Sequence, residues 1–437
     1  YYGAAGADFV RTPALDSLAA RGTRFTRAYT NSPVCSPARI GLATGLYPFR
    51  TGALDNNSFS PLTHPTYYQR LRDSGYRVAM VGKHDLAKND RFKGRLGLRP
   101  LTYAFGFTDP HETAGKMEAG KLGEPQCPYT HALADRGLFE TFLDDYQKRA
   151  KTGWVKDASH DSVLPTELYH DAYIGEHACR WLEEIDDDFP WHMFVSFIGP
   201  HDPFDPPAEY AERYRDAKMP PAIADELGNK PRWHAERDVA LSEEEIAHTR
   251  RQYCAEIELI DEYIGRMVET LERRGLLENT IVLFVSDHGE MLGDHGMYTK
   301  SVAYEGATHI PLVVAGPGLQ QGAVSDALVG LIDLNPTLCE LAELDGQVGI
   351  DATSFAPLLR GETQTHHDSV YITLRRFQAV VTDRYKFVNN YNDLDEVYDL
   401  HEDPQELDNL VVSDERRAAG LMRGAFVPHQ TAMGAHW

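Results

Sequence analysis

The stretch "NTIVLFVSDHGE", residues 279–290, decides the reading of the fold. Its apolar run is too continuous for a strand with one wet face and reads as a strand buried on both sides, closed by Asp287, His288 and a turn glycine. Three other segments have the same texture: "YRVAMVGK" (76–83), "WHMFVSFIGPH" (191–201) and "HIPLVVAGPG" (309–318). Helical patterns alternate with them. In "LSEEEIAHTRRQYCAEIELIDEYIGRMVETLERRG" (241–275), Ser242 and Glu245 have capping-box spacing. Ile257, Ile260, Ile264, Met267 and Leu271 form one apolar stripe, and Gly275 marks the end. Strands alternating with helices predict an α/β fold, a mostly parallel central sheet sandwiched by helices. In such a sheet, ligands bind beyond the carboxyl ends of the strands. Lys83, His201, Asp287 and His288 close the segments, so the strand ends deliver chemistry to one edge.

Residues 95–165 and 205–240 are rich in Gly, Pro and charge and lack periodicity, and read as long excursions over that edge. Near residue 360 the texture changes to "SVYITLRR", "FQAVVTD" and "YKFVNNY". These predict a small C-terminal α+β subdomain, 361–437, with an antiparallel sheet beside a catalytic domain of residues 1–360.

A chain of 437 residues buries a large core, and its net charge of -23 argues against nucleic acid or an anionic membrane as partner. No run reaches the roughly 18 apolar residues of a membrane span. Five widely spaced cysteines, Cys35, Cys127, Cys179, Cys254 and Cys339, show no paired pattern, so a disulfide framework is not expected. Cys179 and Cys254 fall in helical patterns and are expected in the core. This cysteine usage leans toward a reducing, cytoplasmic compartment, although any export signal would lie ahead of Tyr1.

Cys35 sits in "NSPVCSPARIGLATGLYP" (31–48). A short helix from about Pro37 to Thr44, stopped by Gly45, places it at a helix N-terminus, where N–H groups and the dipole favour negative charge. Arg39 adds a cation one turn on. These residues fit either a low-pKa thiolate or a buried structural cysteine.

Together the motifs resemble the sulfatase family of the alkaline-phosphatase superfamily. "CSPARIGLATG" is similar to that family's Cys-x-Pro-Ser/Ala-Arg signature. Similar too are "TPALDSLAARGTRFTRAY", "LRDSGYRVAMVGK", "SFIGPHDPFDPP", "SDHGEMLGDHGMYTK", "YEGATHIPLVVAGPG" and "EVYDLHEDPQELDNL". The resemblance implies that a maturation enzyme oxidises Cys35 to formylglycine, whose hydrate attacks sulfur and later expels sulfate. It implies that Asp287, His288 and the residue at position 35 bind one divalent metal, calcium (Ca2+) being expected. Arg39, Lys83 and Lys300 would neutralise the sulfuryl oxygens, and His201 would protonate the departing oxygen. The implied substrate is a small-molecule or carbohydrate sulfate ester. The alternatives are a phosphonate or phosphate ester hydrolase of the same superfamily and a non-catalytic scaffold; Lys83 favours sulfate, because relatives on the phosphorus branch tend to lack Gly-Lys there.

Two departures stand out. Many members read Gly-Lys-x-His-Leu, whereas here Gly82-Lys83-His84-Asp85-Leu86 puts Asp85 where the histidine belongs, and His84 reaches the site only through a bulge. The family also begins with an apolar strand ending in two metal-binding aspartates, ahead of the Tyr-Gly matched by "YYG". That predicts a longer protein, with Asp8 and Asp16 poor substitutes. Asp294, His295, His309 and the pair His366-His367 are expected to be structural. Tyr103, His111 and His160 lie in the excursions, where substrate is selected.

Overall fold

The computed structural model describes residues 1–153, 158–186, 188–237 and 239–432. Its strands are β1 (Thr23–Tyr29), β2 (Arg77–Gly82), β3 (Asp109–Glu112), β4 (Trp191–Ser196), β5 (Val282–Val285), β6 (His309–Ala315), β7 (Ala323–Ser325) and β8 (Val329–Gly330). The C-terminal strands are β9 (Ser369–Leu374), β10 (Phe377–Thr382), β11 (Tyr385–Asn390) and β12 (Glu396–Asp399). The four segments expected as strands are β2, β4, β5 and β6. The C-terminal ones form a four-stranded antiparallel sheet in the order β12-β11-β10-β9.

The catalytic part is α/β, with one correction to the expected strand directions. Among the described residues its strands fall into two sheets, β3-β2-β4 and β5-β6-β1-β7, with β8 also on β1. The first is parallel. In the second, β6 runs antiparallel to both β5 and β1. The Gly-Pro-Gly after β6 therefore points away from the site edge, and the strand's first residue, His309, pairs with Tyr29.

Between β4 and β5 the sheets face each other across a cavity of about 1420 Å3. Every residue of β5 and all but the last of β4 are only half-buried, whereas β2 is buried from Val78 onward. The walls are apolar. Ile257, Ile260, Ile264, Met267 and Leu271 line one side, as a stripe on helix Glu243–Arg273, and Leu71, Leu334 and Leu338 line the other. That helix begins with the expected capping box: the Ser242 N–H donates to Glu245 Oε2 at 2.8 Å, and the Glu245 N–H to Ser242 Oγ at 3.3 Å. At the end of β2, Gly82 has φ 106°, and a Cβ there would lie 2.0 Å from the Ser196 carbonyl oxygen. Glycine is thus required to bring β2 against β4 and aim Lys83 outward.

The described residues of 95–165 hold more regular structure than expected. They hold β3, which pairs in parallel with β2, and helices Pro128–Asp135 and Phe139–Lys151 around a cluster of Tyr129, Leu133, Phe139 and Phe142. The strand escapes sequence patterning because "DPHE" is short and polar. Within 205–240 the described elements are short helices. All five cysteines are buried and unpaired with one another.

Candidate active site

Helix Cys35–Thr44 starts two residues earlier than expected, with Cys35 as its first residue, and ends at Gly45, φ 69°. Neither Ser36 nor Pro37 opens it. The Ser36 N–H is taken by Asn56 Oδ1 at 3.0 Å, so that donor serves the fold rather than an anion. Arg39, one turn on, faces the strand ends. Its Nε donates to Asp287 Oδ2 at 2.7 Å, and its Nη1 donates to Ser196 Oγ at 2.7 Å and to the Lys83 carbonyl at 2.8 Å. One guanidinium thereby ties β5 to β4 and β2 across the cavity.

Cys35 Sγ lies 3.3 Å from His288 Nε2. Burial alone raises the thiol, but the Lys83 ammonium and His288, which also hydrogen-bonds the sulfur, hold it well below its ordinary value. Burial alone lowers His288; Asp287 and the Cys35 sulfur raise it on balance. The two shifts agree on a thiolate–imidazolium pair. Asp287 is buried, which raises its carboxyl, yet Arg39 and His288 bring it down to about 2.

The far wall is a hydrogen-bonded series. His201 Nδ1 faces the Asp202 carbonyl at 2.7 Å and Asp202 Oδ1 at 3.0 Å, and His201 Nε2 lies 2.9 Å from Lys300 Nζ. Because an ammonium only donates, Nε2 is the acceptor and Nδ1 carries the imidazole proton. Burial, then Lys300, lowers the pKa of His201, while Asp202 is the leading influence that raises Lys300 against the opposing effect of burial. Lys300, not His201, therefore holds the labile proton of this pair. Asp202 was missed in the sequence, although it follows His201 in the quoted "GPHDPF".

The Gly-Lys-His-Asp segment resolves in favour of Asp85. Asp85 takes φ 56°, which turns its carboxylate to Lys83 Nζ at 3.2 Å and Lys88 Nζ at 3.7 Å. Burial opposes its ionisation, but Lys83, Lys88 and Arg39 hold it far below the usual carboxylate range. His84 turns the other way: its Nδ1 accepts the Leu86 N–H at 2.9 Å, and Nε2 lies 3.1 Å from Glu112. Lys88, a further cation of this wall, carries no sequence signal. Glu290, three residues after Asp287, is pushed up to about 7, chiefly by burial.

Asp294 and His295 are taken up by the fold: Asp294 Oδ1 accepts from Arg250 at 2.7 Å and from the Ile223 N–H, and His295 bonds Asp225 and stacks on Tyr304. His309 Nε2 meets the Thr26 carbonyl at 2.8 Å. Of the excursion residues, His111 stacks on His177, and Tyr103 and His160 are exposed.

The ligand atoms of Cys35, Asp287 and His288 all lie within 4.8 Å of one another. A carboxylate, an imidazole and the side chain at position 35 suit a divalent cation.

The Sulfatase family model matches residues 1–344, and a model described as "N-sulphoglucosamine sulphohydrolase, C-terminal" matches residues 293–421. The chain is 29% identical to a choline-sulfatase of Rhizobium meliloti (strain 1021), covering 99% of this chain and 83% of that protein. It is 32% identical to an uncharacterized sulfatase of Escherichia coli (strain K12), covering 92% and 78%. In fold it resembles a phosphonate monoester hydrolase of Agrobacterium radiobacter, with a TM-score of 0.79 at 23% identity over 99% of this chain and 93% of that one.

Proposed function

The chain belongs to the sulfatase family and is a sulfuric ester hydrolase, and we propose that it cleaves a sulfate monoester with a formylglycine derived from Cys35, beside a divalent cation held by Asp287 and His288. The observation that carries this reading is the convergence of Arg39, Lys83, Lys300, His201, Asp287 and His288 around the first residue of helix Cys35–Thr44. A cation there would supply Lewis-acid polarisation of the ester.

The chain's own residues do the rest. Lys83 and Lys300 present fixed positive charge to the sulfuryl oxygens in a dry pocket, where it acts without reorganisation. Asp85 holds Lys83 from behind. Asp202 orients His201, and the proton on Lys300 Nζ is available to the departing oxygen directly or through His201 Nε2. Arg39 fixes Asp287. The cavity between β4 and β5 opens beside Arg39, Asp287 and His288. An extended apolar segment ending in carboxylates, seated there, would complete the oxygen donors of the cation.

Relatives are named for choline, aryl and carbohydrate sulfates, and a 25%-identical one is an N-acetylglucosamine-6-O-sulfatase of Bacteroides thetaiotaomicron. The substrate class proposed here is therefore a small organic or carbohydrate sulfate ester. Mass spectrometry of the peptide containing Cys35, from protein made with its maturation enzyme, tests the nucleophile; an unchanged cysteine in active protein overturns it. The phosphonate reading is tested by comparing kcat/KM on an aryl sulfate and the matching phosphonate monoester. The sulfate is expected to lead.

A further inference from the structure

We propose that Asp333, His366 and His367 form a zinc site, separate from the catalytic centre, at the seam between the β1–β8 pair and the C-terminal sheet. These histidines carry no catalytic signal in the sequence, yet the fold brings both imidazoles to one carboxylate. Asp333 ends the short turn Leu331–Asp333 that follows β8 and is 1% exposed. Its carboxylate is held by two backbone donors, the Gly330 N–H on Oδ2 at 2.8 Å and the Thr353 N–H on Oδ1 at 2.9 Å. His366 and His367 arrive just ahead of β9, where His367 bridges to Leu328. Their Nε2 atoms lie 3.5 and 3.0 Å from the same Asp333 Oδ2.

By its geometry a hydrogen bond accounts for His367 at 3.0 Å, while His366 stands off at 3.5 Å. Oδ2 already accepts from Gly330 and His367, and His366 Nε2 has no hydrogen-bond partner although its side chain is only 7% exposed. A buried polar nitrogen aimed at a carboxylate that is already engaged is costly in a purely structural cluster. It is what a metal site looks like. Ligands about 2.0–2.1 Å from a tetrahedral zinc stand about 3.4 Å from one another; the two histidine nitrogens stand 3.5 and 3.0 Å from Asp333 Oδ2, and all three donor atoms lie within 4.8 Å of one another. Two imidazoles and one carboxylate select zinc over calcium or magnesium. The backbone donors on Asp333 orient the carboxylate as outer partners of metal ligands do. His367, with 24% of its side chain exposed, gives access for the ion and for a water as fourth ligand. An ion held there would fasten the first strand of the C-terminal sheet to the turn after β8.

The test uses the full chain carrying Cys35→Ser, so that the catalytic cluster does not contribute a thiolate. After treatment with a chelator, Co2+ is titrated while its visible d–d absorption is followed, and Zn2+ is then added to displace it. One equivalent of tetrahedral Co2+ is expected, with a higher unfolding temperature in Zn2+. His366→Gln should weaken binding at least about tenfold and remove the thermal gain, with ester hydrolysis by the corresponding Cys35 protein unchanged. Should His366→Gln not fold, His367→Gln, whose side chain is less buried, gives the same readout. The proposal is overturned if millimolar Co2+ yields no tetrahedral spectrum, or if the folded histidine variants titrate like their parent.

Discussion

At the scale of single residues, Lys83 and Asp85 show how charge is set at this site. Lys83 is held at 3.2 Å by a carboxylate that the sequence presents one position beyond His84. Removing the ammonium with Lys83→Ala should lower kcat and kcat/KM together by roughly a hundredfold, the mark of an interaction made mainly in the transition state. It should also narrow the preference for sulfate over phosphonate; steady-state kinetics on both esters checks this. Asp287→Ala should abolish divalent-cation binding and lower the unfolding temperature, read by calorimetry with and without the ion. The motifs made Cys35, Arg39, Lys83, His201, Asp287, His288 and Lys300 legible. What they left open was which neighbour of Lys83 turns inward, because a positive φ at Asp85 reverses the alternation of a strand. Nor did they show that Lys300 rather than His201 keeps the proton, which depends on burial and on an ammonium 2.9 Å away.

Elements were legible where their pattern is long. The helix Glu243–Arg273 has its cap and stripe written plainly, and β9 to β11 stand out as short strand-like runs. β3 was hidden by its polar sequence, and the direction of β6 by a texture that looks alike in parallel and antiparallel strands. Within the C-terminal sheet, β12 carries a buried acid. Burial pushes Glu396 from 4.5 up to about 7, although Tyr398 and Asn390 donate to its carboxylate. The unfolded chain releases this proton near 4.5 while the folded chain keeps it, so the contribution to stability is full below 4.5 and is lost as pH rises through 7. The loss is of order 3 kcal/mol. Denaturant unfolding across this range should show the decline, and Glu396→Gln should make it shallower.

For the whole molecule, the strand texture that decided the fold class is also where the structure departs most from a closed sheet. β4 and β5 have the composition of strands buried on both faces, yet among the described residues each is an edge, and the stripe of helix Glu243–Arg273 faces the cavity between them. Hydrogen exchange should separate the two environments: amides of β2, bonded on both sides, should exchange slowly, and alternate amides of β4 and β5 should exchange far faster. Uniform protection across β2, β4 and β5 would mean that both edges are paired in solution. Arg39 hydrogen-bonds to residues at the ends of both β4 and β5, so Arg39→Ala should lower thermal stability as well as activity. Among the described residues, the two facing strand edges, lined with isoleucine and leucine, suit one extended apolar segment between them, the kind of pairing by which an edge strand is covered.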